Sequence, residues 1–181
     1  MKRNSILVIF FCLLLINSLS SCKPPIVKNN DYLIFFTDSI TENQGYKNTK
    51  GEIIIPAGKY SKCFTDTFKT YAIVVKPNFG FIAIDRQENV LYGIFPFDNG
   101  PDEPSEGLFR IIIDKKIGYA DLLTGKIVIK PQFDCAWPFE NGVAKVSTDC
   151  KTQSEGEHSI WQSDHWFYIN KTGKRYEKPN N

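Results

Sequence analysis

Histidine and methionine are scarce in this 181-residue chain, which has two histidines and one methionine. The two histidines, His158 and His165, have no convergent carboxylate in their pattern, so neither is predicted to bind a metal. The chain also lacks the HExxH, GxSxG, P-loop and GxGxxG motifs of metalloproteases, hydrolases and nucleotide-binding proteins. The sequence therefore predicts no enzyme, no catalytic residue, no metal and no cofactor.

An excess of charge of either sign is also missing. The chain has 22 basic and 20 acidic residues. Removing Lys2 and Arg3 with the N-terminal segment described next leaves 20 basic residues against 20 acidic ones. Because nucleic-acid binders need a basic surplus to neutralise phosphates, no nucleic-acid partner is predicted.

No apolar run is long enough to cross a membrane. The longest, Ile6–Ile16, has eleven residues, whereas a spanning helix needs ~20. It follows Lys2 and Arg3, and a short basic segment before an apolar run of this length is typical of a signal peptide. We interpret residues 1–21 as that signal peptide.

The residues after this run are LSSC, Leu19 to Cys22, and they resemble the lipobox of bacterial lipoproteins. The resemblance implies cleavage before Cys22, a diacylglycerol on its sulfur and a further acyl chain on the new amino terminus. Two or three acyl chains hold a protein stably on a bilayer. The alternative is a cleaved secretory signal followed by an incidental cysteine.

The lipobox resemblance implies a bacterial cell-envelope location, with the membrane bound through the N-terminal lipid. Lys23 stands where an aspartate commonly retains a lipoprotein at the inner membrane, which favours the outer membrane. Residues 22–31 are interpreted as a tether and residues 32–181 as one β domain.

Three cysteines remain in the mature domain: Cys63, Cys135 and Cys150. No CxxC pair occurs, so neither a redox motif nor a zinc knuckle is indicated. Two alternatives stay open in a compartment that permits disulfides. Either all three are small buried thiols, or Cys135 and Cys150 form one bridge and a single thiol is left over.

The most informative feature is a pattern that recurs four times. In each instance an aromatic-rich strand reaches an Asn or Asp, a turn follows, and a second strand begins. The turn residues are Gly51, Glu88, Gly125 and Gly173, at intervals of 37, 37 and 48 residues. A period in this range indicates a solenoid, a propeller or another array.

The residues of one unit predict its structure. The recurring Asn48, Asp85, Asp121 and Asn170 are expected to bond the turn backbone, and the turn residue supplies the positive φ that glycine tolerates best. A β-branched second strand and a returning third strand follow, without helical periodicity. The predicted class is all-β, with units of two or three strands. They span 44–76, 80–113, 117–147 and 166–176. The units could close into a propeller or extend as a solenoid.

The stretch GYADLLTGKIVIKPQFD, with the later PFENGVAKV, resembles the WG repeat, also called the KWG repeat, of bacterial proteins. Trp166 stands at the family's tryptophan and Phe167 replaces the glycine after it. The other three units begin with Gly45, Gly80 and Gly118 and lack the tryptophan. The resemblance implies no shared catalytic residue.

The last interval is 11 residues longer than the others, which places an insert within 147–165. Insertions in repeat proteins map to loops that often bind partners, so Trp161, His158 and His165 are candidate interaction residues. Alternatively, Trp161 folds back to cap the last unit.

The other polar stretch, DNGPDEPSE at 98–106, lacks the ligand spacing of an EF-hand. It is interpreted as a solvated hairpin loop.

These observations predict a lipid-anchored envelope protein that acts as a binding or scaffold module. Its partner is an envelope protein or a glycan. The alternative class is an enzyme, or an accessory subunit of one, that acts on envelope glycans, because two carboxylates suffice for a glycoside hydrolase.

Overall fold

A computed structural model describes residues 31–155 and 158–176, with backbone only for residues 154, 155, 158 and 159. The predicted signal peptide, Cys22 and residues 22–30 of the tether lie outside these residues. No helix occurs in the described residues, so none of them forms a helix that could cross a membrane.

All regular structure in the described residues is β. The strands, in chain order, are β1 (Leu33–Thr37), β2 (Gln44–Asn48), β3 (Ile53–Ile55), β4 (Lys62–Cys63), β5 (Thr67–Phe68), β6 (Ala72–Lys76), β7 (Gly80–Ile84), β8 (Val90–Ile94), β9 (Pro96–Phe97), β10 (Gly100–Pro101), β11 (Leu108–Ile113), β12 (Lys116–Asp121), β13 (Ile127–Phe133), β14 (Cys135–Ala136), β15 (Val143–Ser147), β16 (Lys151–Glu155), β17 (His158–Gln162), β18 (Phe167–Asn170) and β19 (Arg175–Tyr176). The all-β prediction is confirmed.

The strands form three larger antiparallel sheets and two separate hairpins. The sheet orders are β3-β2-β1-β5, then β13-β12-β11-β8-β7-β6-β4, then β14-β15-β18-β19, and the hairpins are β9–β10 and β16–β17. Each larger sheet begins and ends at different strands, so none of the described sheets closes on itself. The described residues form no closed barrel and no propeller.

Neighbouring units share sheets. The third strand of one unit pairs with the hairpin of the next, as β6 with β7, β11 with β12 and β15 with β18. The first hairpin pairs in the same way with β1. Each boundary between units is therefore an antiparallel strand pair rather than a loose linker.

The four turns have the predicted chemistry. In the first, the Asn48 side-chain oxygen accepts hydrogen bonds from the amides of Lys50 and Glu52, both at 3.0 Å. The corresponding side chains of Asp85, Asp121 and Asn170 also accept from turn amides. The residue at each turn position has a positive φ, at Gly51, Glu88, Gly125 and Gly173.

Glu88 takes this conformation without being glycine, with φ 63°. A non-glycine residue in the left-handed region costs about 1–2 kcal/mol. Its carboxylate accepts bonds from the Lys59 ammonium at 2.8 Å and the Tyr60 hydroxyl at 3.0 Å. These contacts join the second turn to the first unit and offset part of the backbone strain.

The position of Gly80 differs from the sequence alignment. Gly45 and Gly118 each lie three residues before the turn Asn or Asp, and at that offset the second unit has Ile82. Gly80 instead lies at the start of β7 beside the β6–β7 turn, with φ 76° and open space around its Cβ position. Gly80 is therefore a turn glycine at the start of β7, and its position is not equivalent to those of Gly45 and Gly118.

Gly118 is required by close packing. A Cβ there would lie 2.5 Å from the Ile129 carbonyl oxygen and 2.6 Å from the Pro131 nitrogen. We expect Gly118→Ala to lower the free energy of unfolding by about 1–3 kcal/mol in urea titrations, because backbone must move. Gly100→Ala, whose Cβ would meet its nearest atom at 3.6 Å, is the control, with an expected change of about 0.5 kcal/mol or less. Equal losses in the two variants would contradict the packing explanation.

Within the part of the chain that the structure describes, three apolar cores follow one another in chain order. The first is made of buried residues between Leu33 and Ile84, the second between Tyr71 and Ala120, and the third between Leu108 and Ile169. Alternate residues of one strand enter successive cores: Ile82 and Ile84 face the first, and Ala83 faces the second. Each unit therefore packs on its neighbours along the chain, as in a solenoid.

Candidate functional site

A buried tyrosine defines the centre of the first unit. Tyr46 lies two residues before the turn Asn48 and is 0% exposed. Its hydroxyl donates to the Thr65 carbonyl oxygen at 2.9 Å, and its ring meets Phe68 edge-on at 5.3 Å between centroids. Burial raises the pKa of Tyr46 well above its usual range, so the hydroxyl remains a donor.

The third unit repeats this arrangement. Tyr119 lies two residues before Asp121, is 1% exposed, and donates to the Trp137 carbonyl oxygen at 2.7 Å. Its ring meets Phe139 edge-on at 4.8 Å, and burial raises its pKa above the usual range. Residues 65–68 and 137–139 therefore make the same two contacts: a carbonyl oxygen accepts from the tyrosine hydroxyl, and a phenylalanine ring packs against the tyrosine ring. We call each of these two stretches a covering segment.

The fourth unit has the tyrosine without the cover. Tyr168 lies two residues before Asn170, as Tyr46 does before Asn48, yet it is 41% exposed. The cross-strand register aligns Lys145 of β15, Tyr168 of β18 and Tyr176 of β19.

The alternate residues of this sheet face inward. Ala144, Val146 and Ile169 are buried in the third core. Val143, Lys145, Tyr168 and Tyr176 therefore point the other way, since successive side chains of a strand alternate between faces. We call these four residues the terminal face.

The terminal face forms one side of a groove of about 770 Å³. The groove is lined by Ser105, Trp137, Pro138, Phe139, Glu140, Asn141, Val143, Lys145, Tyr168 and Tyr176. Trp137 is 48% exposed, and Tyr168 and Tyr176 are each 41% exposed. Glu140 and Lys145 are the charged residues of the lining, so it combines half-exposed aromatic rings with no formal net charge.

Trp161 lies on strand β17 of the insert, which is a β-hairpin rather than a loop. Its ring meets Trp137 edge-on at 5.4 Å and Phe95 edge-on at 5.7 Å, and it packs against the third core. These contacts favour the capping alternative for this residue over free display.

Trp161→Ala should lower the free energy of unfolding by about 1–2 kcal/mol, because two aromatic pairs and part of the buried area are lost. The melting temperature measures this loss. Ile160→Ala, on the same strand at a side chain that is 44% exposed, is the control and should change little. An unchanged melting temperature together with lost partner binding would instead assign Trp161 to recognition.

The two histidines are not brought into one described site. His165 is largely exposed, and its Nδ1 contacts the Asp149 carboxylate. Ser163 and Ser147 also donate to Asp149. These hydroxyls, followed by His165, lower the pKa of Asp149 well below its usual range. The network ties the two ends of the insert together. His158 lies on β17, and only its backbone is described.

Cys135 and Cys150 are bonded to each other in the structure, and Cys63 is a buried free cysteine. This is the second of the two alternatives left by the sequence. The bridge connects β14 to the residue that precedes the insert hairpin. Burial raises the pKa of the Cys63 thiol.

The acidic stretch 98–106 differs from its prediction at Asp102. Instead of being solvated, the Asp102 side chain is 2% exposed and forms an ion pair with Arg110, which is 4% exposed. The Asp102 carboxylate accepts bonds from the Arg110 backbone amide at 2.7 Å and Nε at 2.9 Å. The Arg110 Nη1 also donates, to the Ala136 carbonyl oxygen at 3.2 Å.

Glu106, from the same stretch, is also engaged. It lies 2.9 Å from the Lys171 ammonium and accepts from the Gly142 amide at 3.1 Å, and these contacts lower its pKa. Within residues 31–155 and 158–176, no three His, Cys, Asp or Glu side chains form a group that could hold a metal ion.

The fold and these contacts define an all-β repeat protein in which the first and third units each bury a tyrosine under a covering segment. The family model described as WG containing repeat matches residues 45–69 and 117–149. These two segments are thus similar to the WG repeat, and they are the units in which the tyrosine and its cover are both present. No curated protein and no solved structure matches the chain.

Proposed function

We propose that this repeat protein is a lipid-anchored binding module of the bacterial cell envelope, without catalytic activity of its own. The observation that carries the binding role is the groove beside the terminal face. Half-exposed tryptophan and tyrosine side chains offer a large contact area at small entropic cost, which is why such residues dominate recognition surfaces.

The contacts of the carboxylates support a binding role over an enzymatic one. Asp85 and Asp121 bond turn amides, Asp102 is neutralised by Arg110 and Asp149 accepts from two serines. These contacts give each of the four carboxylates a structural reason to be present.

The anchoring part of the proposal rests on the LSSC stretch, which lies outside the described residues. Cys22→Ser should move the protein from the membrane fraction to the soluble fraction, because the acylated sulfur is removed. Cell fractionation and extraction by detergent measure this change. Cys12→Ser, inside the apolar run, is the matched control and should leave the protein membrane-bound. Continued detergent dependence of Cys22→Ser would contradict lipid attachment at this residue.

A further inference from the structure

The first and third units act as internal templates for what the fourth unit binds. In both templates a tyrosine hydroxyl donates to a backbone carbonyl, and a phenylalanine ring meets the tyrosine ring edge-on. The phenylalanine follows the carbonyl residue by three positions in the first unit, Thr65 to Phe68, and by two in the third, Trp137 to Phe139. A short extended segment therefore supplies both contacts.

The fourth unit has its tyrosine at the register position that the tyrosine occupies in the third unit. Lys145, Tyr168 and Tyr176 are cross-strand neighbours at one register level, and Arg110, Tyr119 and Ile129 are at the corresponding level of the third unit. There Tyr119 is 1% exposed, against 41% for Tyr168. The Tyr168 ring is therefore not buried by the described residues, whereas the Tyr119 ring is buried by its covering segment.

We propose that the terminal face binds an extended polypeptide segment of a partner protein, in which a phenylalanine follows a free carbonyl by two or three residues. The segment takes the position that a covering segment takes in the first and third units. This inference rests on the proposed binding role and names the chemistry of the partner.

The lining of the groove fits this occupant better than a charged polymer. Lys145 and Glu140 offset each other, which leaves no surplus charge to attract phosphates. The interior of a sheet offers ligands on its face little besides side chains, because its backbone groups are paired with neighbouring strands. The Tyr168 hydroxyl is a donor on this face, between those of Lys145 and Tyr176, and its counterparts in both templates donate to a peptide carbonyl.

A peptide taken from the chain itself tests the proposal. The probe is residues 133–141 with Cys135→Ser, titrated into the purified full chain by isothermal calorimetry. We expect a Kd between about 10 µM and 1 mM, the range of weak, small interfaces. A peptide with Phe139→Ala should bind at least about tenfold more weakly, since the edge-on ring and its buried area are lost.

Variants of the protein separate the ring from the hydroxyl. Tyr168→Ala should weaken binding of the probe at least about tenfold. Tyr168→Phe keeps the ring and should weaken it about 2- to 10-fold, which corresponds to one hydrogen bond. Phe79→Ala removes an aromatic ring that is 70% exposed and lies in the turn between β6 and β7, and it should leave affinity unchanged. Matching melting temperatures ensure that the comparison concerns binding.

Other outcomes overturn the proposal. Absence of binding at about 1 mM peptide, or equal affinity for Tyr168→Ala, rejects a peptide site on this face. If chitotetraose binds in a Tyr168-dependent way and the peptide does not, the binding role stands but its occupant is a glycan. Self-association in analytical ultracentrifugation that Tyr168→Ala abolishes assigns the face to a second copy of the chain. If peptide, glycan and self-association all fail, the binding role fails as well.

Discussion

Replacing Arg110 with Met should lower the free energy of unfolding by about 3–5 kcal/mol, the usual effect of leaving one partner of a buried ion pair alone. Arg110 and Asp102 are 4% and 2% exposed, so water cannot solvate the carboxylate that remains. The guanidinium also lies 4.1 Å from the Phe95 ring centroid and bonds the Ala136 carbonyl. Urea titration at constant pH measures the change.

Two further variants identify the cause. Lys145→Met changes the cation at the equivalent register position of the fourth unit, where no buried carboxylate pairs with it among the described residues. It should cost less than about 1 kcal/mol. The double variant Asp102→Leu, Arg110→Met should recover at least half of the loss, because no unpaired charge remains in the core. A double variant as unstable as Arg110→Met alone would show that shape, and not charge, dominates at this site.

Loss of the Cys135–Cys150 bridge should destabilise the protein by about 3 kcal/mol in the chain-entropy account, given the sequence separation of 15 residues. Reduction, or Cys135→Ser with Cys150→Ser, frees the loop in the unfolded state and lowers the melting temperature. Differential scanning calorimetry with and without a phosphine reductant measures the shift.

The serine double variant is also the control for the reductant, which should no longer change its melting temperature. Titration of thiols in the denatured, unreduced protein, after removal of the signal peptide and acylation of Cys22, should find a single free thiol, that of Cys63. A value of three would mean that the bridge does not form in solution.

The turns were predictable from sequence because their chemistry is local. The side chains of the recurring turn residues bond backbone amides within four residues, as in Asn48, Asp85, Asp121 and Asn170. One short repeated pattern therefore predicted both the side-chain bonds to the turns and the intervals between the turns. The same locality accounts for the correct all-β class. It also explains why Glu88 could be recognised as a turn residue although it is not glycine.

Contacts between distant residues could not be predicted in the same way. Asp102 lies in a stretch of acidic and turn residues that is typical of a solvated loop, and its partner Arg110 interrupts the apolar strand LFRIII. Only the fold brings the two side chains together and buries them. A lone arginine in such a strand, eight residues after an aspartate, was the available signal.

The candidate site shows the same limit. The insert was identified from its length, but the edge-on contacts of Trp161 with Trp137 and Phe95 depend on how the hairpin folds back. The exposure of Tyr168 was hidden for a different reason. In sequence it is equivalent to two buried tyrosines, and only the register of β15, β18 and β19 shows that its ring is half-exposed.

The chain order of the three cores has a consequence for biogenesis. Residues 33–84 supply the first core, 71–120 the second and 108–169 the third. A chain that leaves a ribosome or a translocation pore amino terminus first can therefore complete one core before the last residues of the next have emerged. At each stage, the outer face of the most recently formed sheet is exposed until the next segment of the chain packs on it. At a synthesis rate of ~5–20 residues per second, that segment follows within seconds. Among the described residues, the terminal face is the outer face of the last sheet formed in this order.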